Sequence, residues 1–209
     1  MLDSEDKYLL KDKELLEKFN EEDELEEGWF KASVDFVVET VKIVVLAAAI
    51  IFPIRFFLIQ PFYVKGASME PSFYDKEYLM INEIGYRFNE PVRGEVVVFR
   101  YPRDPKQFFI KRVIGIPGDT VEIKEGDVFL DIGGTGELIE LDEAYLNVGV
   151  NTKQKGDVHL YTLEEGEYFL LGDNRDYSHD SRNFGPVADS LIVGKVWFRG
   201  WPIDRIEVF

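Results

Sequence analysis

The sequence predicts a mainly β protein, in which an antiparallel β-sheet domain follows one apolar helix near the N-terminus. After residue 60, short apolar runs recur with glycine or proline between them, which is typical of strands in an antiparallel sheet or barrel. Before that point, residues 34–59 form the longest apolar stretch of the chain. The chain has 209 residues, 45% of them hydrophobic, which is enough for a sizeable core.

Residues 1–31 form an acidic tail that holds twelve Asp or Glu against five Lys. Such a composition is typical of a solvated, partly helical or disordered segment. The net charge of −16 argues against non-specific nucleic-acid binding, so no nucleic-acid partner is predicted. There is no cysteine, which excludes disulfides and thiol chemistry. Two histidines are too few for a histidine-rich metal site, and no metal or cofactor is predicted.

The predicted anchor covers residues 34–59, and its centre, residues 43–54, is uncharged. Twelve helical residues span only ~18 Å, short of the ~30 Å hydrocarbon core of a bilayer. Extending the span to residues 36–59 gives adequate length but takes in Glu39, Lys42 and Arg55. The two basic side chains lie near its ends, where they could snorkel to the interfaces. A transmembrane helix is therefore predicted, with a buried helix or strand of a soluble domain as the alternative.

Residues 60–209 are predicted to form the β domain. The run at 95–99 is continuously apolar after its first residue, which indicates a strand buried on both faces. Further strands are predicted at 108–116 and 191–199. Residues 124–165 are richer in glycine and charge, so a less regular insert is expected there.

Residues 64–71, Val-Lys-Gly-Ala-Ser-Met-Glu-Pro, present one serine on a turn. The small pair Gly66-Ala67 leaves Ser68 with little steric cover, so a carbonyl carbon could approach its hydroxyl. Ser68 is the candidate nucleophile. The alternative is an ordinary surface turn, because glycine, serine and proline are turn residues in any case.

Residues 109–119 contain a lysine between apolar neighbours. In a strand, Lys111 shares a face with Phe109 and Val113, and Arg112 points to the other face. Partial dehydration disfavours the charged form of a lysine, which makes Lys111 a candidate general base. The alternative is an edge strand whose Lys and Arg discourage edge pairing.

Residues 172–185 form a dense polar loop after an apolar run. Alternating carboxylates and guanidiniums suggest a charge-paired buttress. A solvated turn is one alternative. A calcium loop is another, since Asp173, Asp176 and Asp180 supply oxygens, but Arg175 and Arg182 argue against a cation there.

Taken in order, these segments resemble bacterial type I signal peptidases. Residues 68–71 resemble the serine box of that family, residues 111–119 its lysine box, and residues 172–182 its Gly-Asp-Asn-Arg box. Residues 94–99 resemble the strand after the serine box, with Glu95 where Asp is more usual. The resemblance covers about 42–203.

The resemblance implies a signal-peptidase-like β fold and a membrane-bound endopeptidase that removes N-terminal signal peptides with a Ser–Lys dyad. Ser68 would be the nucleophile, Lys111 the general base, and Ser178 a residue that orients the lysine. Met69 matches a residue beside the small side chains of the substrate. The supporting ion-pair network would comprise Arg112, Asp173, Asp180 and Arg182.

The same resemblance implies the partners and the location. The substrates would be exported preproteins with small residues at the first and third positions before the cut, and the lipid bilayer would hold the anchor. The protein would cross the cytoplasmic membrane once, with the catalytic domain outside. Three alternatives are an inactive membrane-anchored β scaffold, a self-cleaving Ser–Lys repressor and a hydrolase with a histidine base.

Overall fold

The computed structural model describes residues 29, 31, 33–52, 59–155 and 159–209. Contacts divide the chain into two compact units, Met1–Pro53 and Ile54–Phe209. In the first unit, residues 33–52 form helix α1. Within the described ranges, no helix is both long enough and apolar enough to cross a membrane. Apart from residues 29 and 31, the predicted tail at 1–31 lies outside the described residues, as do residues 53–58 of the predicted anchor.

The second unit is built on two antiparallel sheets. The larger has eight strands, in the spatial order β1 (Ile59–Tyr63), β2 (Tyr78–Asn82), β11 (Ile192–Trp201), β3 (Val96–Tyr101), β4 (Asp104–Gly115), β9 (Glu167–Leu171) and β10 (Val187–Ala188), with β12 (Glu207–Val208) paired to β11. The smaller has four, in the order β7 (Leu138–Glu140), β6 (Asp127–Asp131), β5 (Thr120–Lys124) and β8 (Leu160–Thr162). Two short helices are α2 (Gly85–Phe88) and α3 (Ser181–Phe184). The prediction of a mainly antiparallel β domain is confirmed.

Strand β4 carries Lys111 and Arg112 and lies next to the strand that leads into the polar loop at 172–185. It lies between β3 and β9, with Lys111 opposite Val97 of β3 and Arg112 opposite Leu171 of β9. Because β9 ends at Leu171, the polar loop that begins at Gly172 emerges directly beside the two basic residues. The pairing register therefore brings two segments that are distant in sequence next to each other.

The apolar run predicted to be buried on both faces is buried. Val97 and Phe99 pack on one side of β3, while Val96 and Val98 pack on the other. A third cluster, which includes Val128 and Leu130, fills the space under the smaller sheet. Within residues 124–165, where the sequence predicted a less regular insert, the alternation of apolar side chains builds β6 and the chain adds β7 and β8.

Candidate active site

The turn after β1 places Ser68 beside the sheet. Gly66 has φ of +88°, a left-handed conformation that side chains rarely adopt, and its amide donates to Asp75 Oδ1 at 2.8 Å. After the serine, Phe73 N donates to Met69 O at 2.8 Å and closes a helical turn. The Met69 side chain is almost fully buried and packs in the core with Phe73. These contacts hold the turn against the core, and Ser68 is half-buried.

Lys111 reaches Ser68 from β4. Its Nζ donates to Ser68 Oγ at 2.8 Å and to Ile110 O at 2.7 Å. The residue is only 3% exposed, and its Nζ lies 5.7 Å from the centre of the Phe109 ring. The alternative of an edge strand with solvated cations is therefore wrong for Lys111, because the strand is internal to the sheet and the amine is dehydrated.

Burial lowers the pKa of Lys111 to about 8, because removal from water penalises the ammonium. The carboxylates of Asp180 and Asp173 oppose this shift, and the cations of Arg182 and Lys155 add to it. Burial is the largest of these influences, so the pKa of Lys111 stays lowered although both carboxylates, each also bound to an arginine, oppose the shift. The amine therefore ionises within two pH units of neutrality.

Gly172 allows the closest approach in the site. A Cβ built on it would lie 2.5 Å from Ser68 O and would collide with the Ser178 hydroxyl. The Ser68 carbonyl is also held by Asn174 N at 3.1 Å. Because Gly172 has no side chain, the polar loop can pack in direct contact with the serine turn.

Ser178 lies in this contact but does not bond to the lysine. It is 2% exposed, and its Oγ makes no hydrogen bond within the described part of the chain. The hydroxyl lies near enough to Asp180 to help lower the pKa of that carboxyl group, although the pair does not meet hydrogen-bond geometry. The role of Ser178 in orienting Lys111 stays a prediction.

Two bidentate ion pairs brace the site. Arg112 donates to Asp173 through Nε at 2.9 Å and Nη2 at 2.6 Å, and its guanidinium stacks 4.0 Å above the Tyr145 ring. Arg182 donates to Asp180 through Nε at 2.8 Å and Nη2 at 2.7 Å. Both pairs are charge-assisted and geometrically matched, so they fix the loop against β4.

Asp180 shows why the loop is not a solvated turn. It is fully buried and caps α3, where it accepts the amide of Arg182. Burial alone would raise its pKa, but the hydrogen bonds and charge of Arg182 outweigh burial and hold the pKa of Asp180 below its usual value. The solvated-turn alternative is wrong, and two of the three carboxylates that a calcium loop would need, Asp173 and Asp180, are already bound to arginines.

An apolar cavity of about 570 Å³ lies beside Ser68 and Lys111. Its walls come from β1, the serine turn, β2, β4 and the polar loop, and they include Phe62, Val64, Ala67, Leu79, Phe109, Ile110 and His179 together with Ser68 and Lys111. Met69 is not among the residues that line it, so a direct contact between Met69 and a substrate stays a prediction. The cavity has the size of a small-molecule or peptide side-chain site.

Residues 37–201 match the family described as "Signal peptidase, peptidase S26". This chain belongs to the peptidase S26 family of signal peptidases. Signal peptidase IB of Staphylococcus aureus (strain COL) is 35% identical over 186 residues, covering 82% of this chain and 93% of the relative. Probable signal peptidase I-2 of Synechocystis sp. is 36% identical over 175 residues, covering 81% and 75%. A crystal structure of a signal peptidase I from Enterococcus faecalis shares 31% identity, covers 52% of this chain and 97% of that chain, and has a TM-score of 0.41.

In this signal peptidase family member, the insert supplies residues that the sequence did not single out. Arg175 is 1% exposed and donates to Glu143 and to the Thr152 hydroxyl. Tyr145 covers Arg112, and Lys155 Nζ donates to Ser178 O at 2.6 Å. These residues carry no local motif, and only three-dimensional contact with the polar loop distinguishes them from other charged residues of the insert.

Proposed function

We propose that this protein is a membrane-bound serine endopeptidase that removes N-terminal signal peptides from exported preproteins. The observation that carries the proposal is the 2.8 Å contact between Lys111 Nζ and Ser68 Oγ, made by a lysine that is almost fully buried. The relatives named signal peptidases support the same activity.

In the proposed reaction, neutral Lys111 accepts the proton of Ser68 Oγ as this oxygen attacks the scissile carbonyl carbon. The hydrogen bond from Nζ to Ile110 O engages one N–H, so the lone pair of the neutral amine is free to face Ser68 Oγ. With the pKa of Lys111 at about 8, roughly a tenth of the amine is neutral at pH 7. The geometry therefore supports a base that works without a histidine.

The remaining steps follow from the same two residues. The tetrahedral oxyanion would be held by the backbone N–H of Ser68, which makes no hydrogen bond within the described residues. The peptide C–N bond then breaks, and the ammonium of Lys111 returns its proton to the departing amine. Water attacks the acyl-enzyme, gives a proton to Lys111, and releases the Ser68 hydroxyl when that proton is returned.

The proposed test compares full-length protein in detergent with its Ser68→Ala variant on a preprotein substrate. A matched control is Ser190→Ala, which changes an exposed serine outside the cavity. The wild type and the control should cut the preprotein at one position after a small residue, whereas Ser68→Ala should not. Cleavage by Ser68→Ala at the wild-type rate would overturn the proposal.

For the substrate, we expect small residues at the first and third positions before the cut. The wall beside Ser68 includes Phe62, Leu79 and Ile110. We propose that these side chains and the bound peptide backbone leave room only for small residues, so that large ones would be excluded by steric clash more than small ones would be attracted. Substituting Ala by Phe at either position should lower kcat/KM by at least 100-fold. Equal cleavage of both preproteins would point to another class of peptidase.

For the location, we expect a single anchor at residues 34–59 in the cytoplasmic membrane, with the β domain outside. Residues 43–54 are its uncharged centre. Exposed aromatics Tyr63, Tyr78 and Trp201 lie side by side on β1, β2 and β11, where they could contact the bilayer interface. Deletion of residues 1–59 should release the protein from membranes on alkaline extraction, and retention would contradict a single anchor.

A further inference from the structure

Lys155 belongs neither to the proposed dyad nor to the two ion pairs beside it. It contacts the polar loop at Ser178, between Asp173 and Asp180, the carboxylates of those ion pairs. Its Nζ donates to Ser178 O at 2.6 Å, and Ser178 is 2% exposed. The Ser178 side chain lies beside Gly172, next to the carbonyl of Ser68. One lysine of the insert therefore binds the backbone of the residue whose side chain packs beside the nucleophile's turn.

The segment that carries Lys155 is itself bound to the polar loop. The Thr152 hydroxyl accepts from Arg175, and Lys153 O accepts from Arg182 Nη1 at 2.9 Å. Thr152 and Arg175 are both 1% exposed, so the first of these contacts is buried, and the second is partly buried. The contacts of residues 152 and 153 hold the backbone next to Lys155 in place. The side chain of Lys155 is half-buried and binds Ser178 from this position.

The charge of Lys155 lacks the compensation that the neighbouring arginines have. Arg112 and Arg182 are each bound to a buried carboxylate, whereas Lys155 meets a neutral carbonyl and, among the described residues, no carboxylate at ion-pair distance. The ionisable groups that face Lys111 and Lys155 are Asp173, Asp176, Asp180, Arg182 and His179. In this set the ammonium of Lys155 adds to the positive field that disfavours a second cation at Lys111.

We infer that Lys155 is a positioning residue for the dyad, which holds the Ser178 carbonyl in place and favours the neutral amine of Lys111 by its positive charge. The inference rests on the proposed Ser–Lys mechanism, in which only neutral Lys111 is active. It gives the insert a part in the reaction without contact between the insert and the reacting atoms.

The test is the pH dependence of kcat/KM for the full-length protein in detergent, with Lys155→Met, Lys155→Arg and the control Lys124→Met. Lys124 is an exposed lysine at the end of β5. Lys155→Met should move the rise in activity to higher pH by about half a unit, so that activity at pH 7 falls about threefold. The loss should vanish near pH 10, where Lys111 is neutral in both proteins. Lys155→Arg should restore the wild-type profile.

A merely structural role would lower activity equally at every pH and leave the midpoint unchanged, and that result would overturn the inference. A second measurement needs no cleavage. The ionisation of Lys111 is followed by NMR of ¹³C-labelled lysine in Ser68→Ala, with its signal assigned by its loss in Lys111→Met. The midpoint should rise when Lys155→Met is added, and an unchanged midpoint would overturn the electrostatic effect of Lys155 even if the preprotein is never cut.

Discussion

Two adjacent basic residues, Lys111 and Arg112, lie on opposite faces of β4 and differ in whether a carboxylate binds them. Lys111 points into the serine turn, where its amine meets a hydroxyl and a carbonyl and has no carboxylate at ion-pair distance within the described residues. Arg112 points to the other face, where Asp173 binds it with two hydrogen bonds and Tyr145 covers its guanidinium. One residue is dehydrated without a counter-ion, and its neighbour is dehydrated with one.

The difference separates a reactive cation from a structural one. A buried lysine without a partner releases its proton more readily, which is the property that a general base needs. A buried arginine keeps its charge at any working pH and gains from a fixed, bidentate carboxylate. The comparison therefore predicts that exchanging the two residue types should harm the protein in different ways.

The largest effect is expected for Lys111→Arg. A guanidinium cannot act as a base near neutral pH, so kcat/KM for a preprotein should fall by about 10⁴-fold. The matched exchange, Arg112→Lys, keeps a cation beside Asp173 and loses only the bidentate geometry, so it should fall by roughly tenfold. Similar losses in the two variants, with both folded, would remove the distinction between the two faces.

A smaller effect, on stability, is expected for Asp180→Ala. This change leaves the buried guanidinium of Arg182 without its carboxylate and should lower the free energy of unfolding by about 3–5 kcal/mol. The control Asp176→Ala lies on the same loop but in an exposed pair with Lys153, and it should cost less than about 1 kcal/mol. Urea denaturation of both variants measures the difference. Equal urea midpoints for the two variants would show that the Asp180–Arg182 pair contributes no more to stability than an exposed pair.

The smallest effect is expected for Lys111→Met, which should raise the free energy of unfolding and not lower it. Between about pH 8 and pH 10.5, the unfolded chain binds the Lys111 proton and the folded protein releases it, so the stability contributed by this residue rises with pH. Below that window, keeping the lysine costs up to about 3 kcal/mol. Lys111→Met should therefore raise the free energy of unfolding at pH 7, and the gain should shrink toward pH 10. A variant less stable than the wild type at pH 7 would contradict the dehydration of Lys111.

The sequence was informative where chemistry and local pattern coincide. The small residues around Ser68 and the apolar neighbours of Lys111 are local signals, and in the structure a hydrogen bond joins Lys111 on β4 to Ser68 on the turn after β1. The alternation of charges in residues 172–182 likewise indicated a paired loop. In contrast, Glu143, Tyr145 and Lys155 could not be predicted, because their importance depends on how the insert folds back onto that loop.

The contacts of Ser68 have a consequence for the nascent chain. Its hydroxyl binds a lysine from β4, while its carbonyl binds the amide of Asn174, which is synthesised much later. A chain that has completed β1 to β4 possesses both members of the proposed dyad but lacks the buttress that seats them. In the proposed mechanism, hydrolytic competence would therefore appear only after the segment that carries Asn174 has folded onto the serine turn.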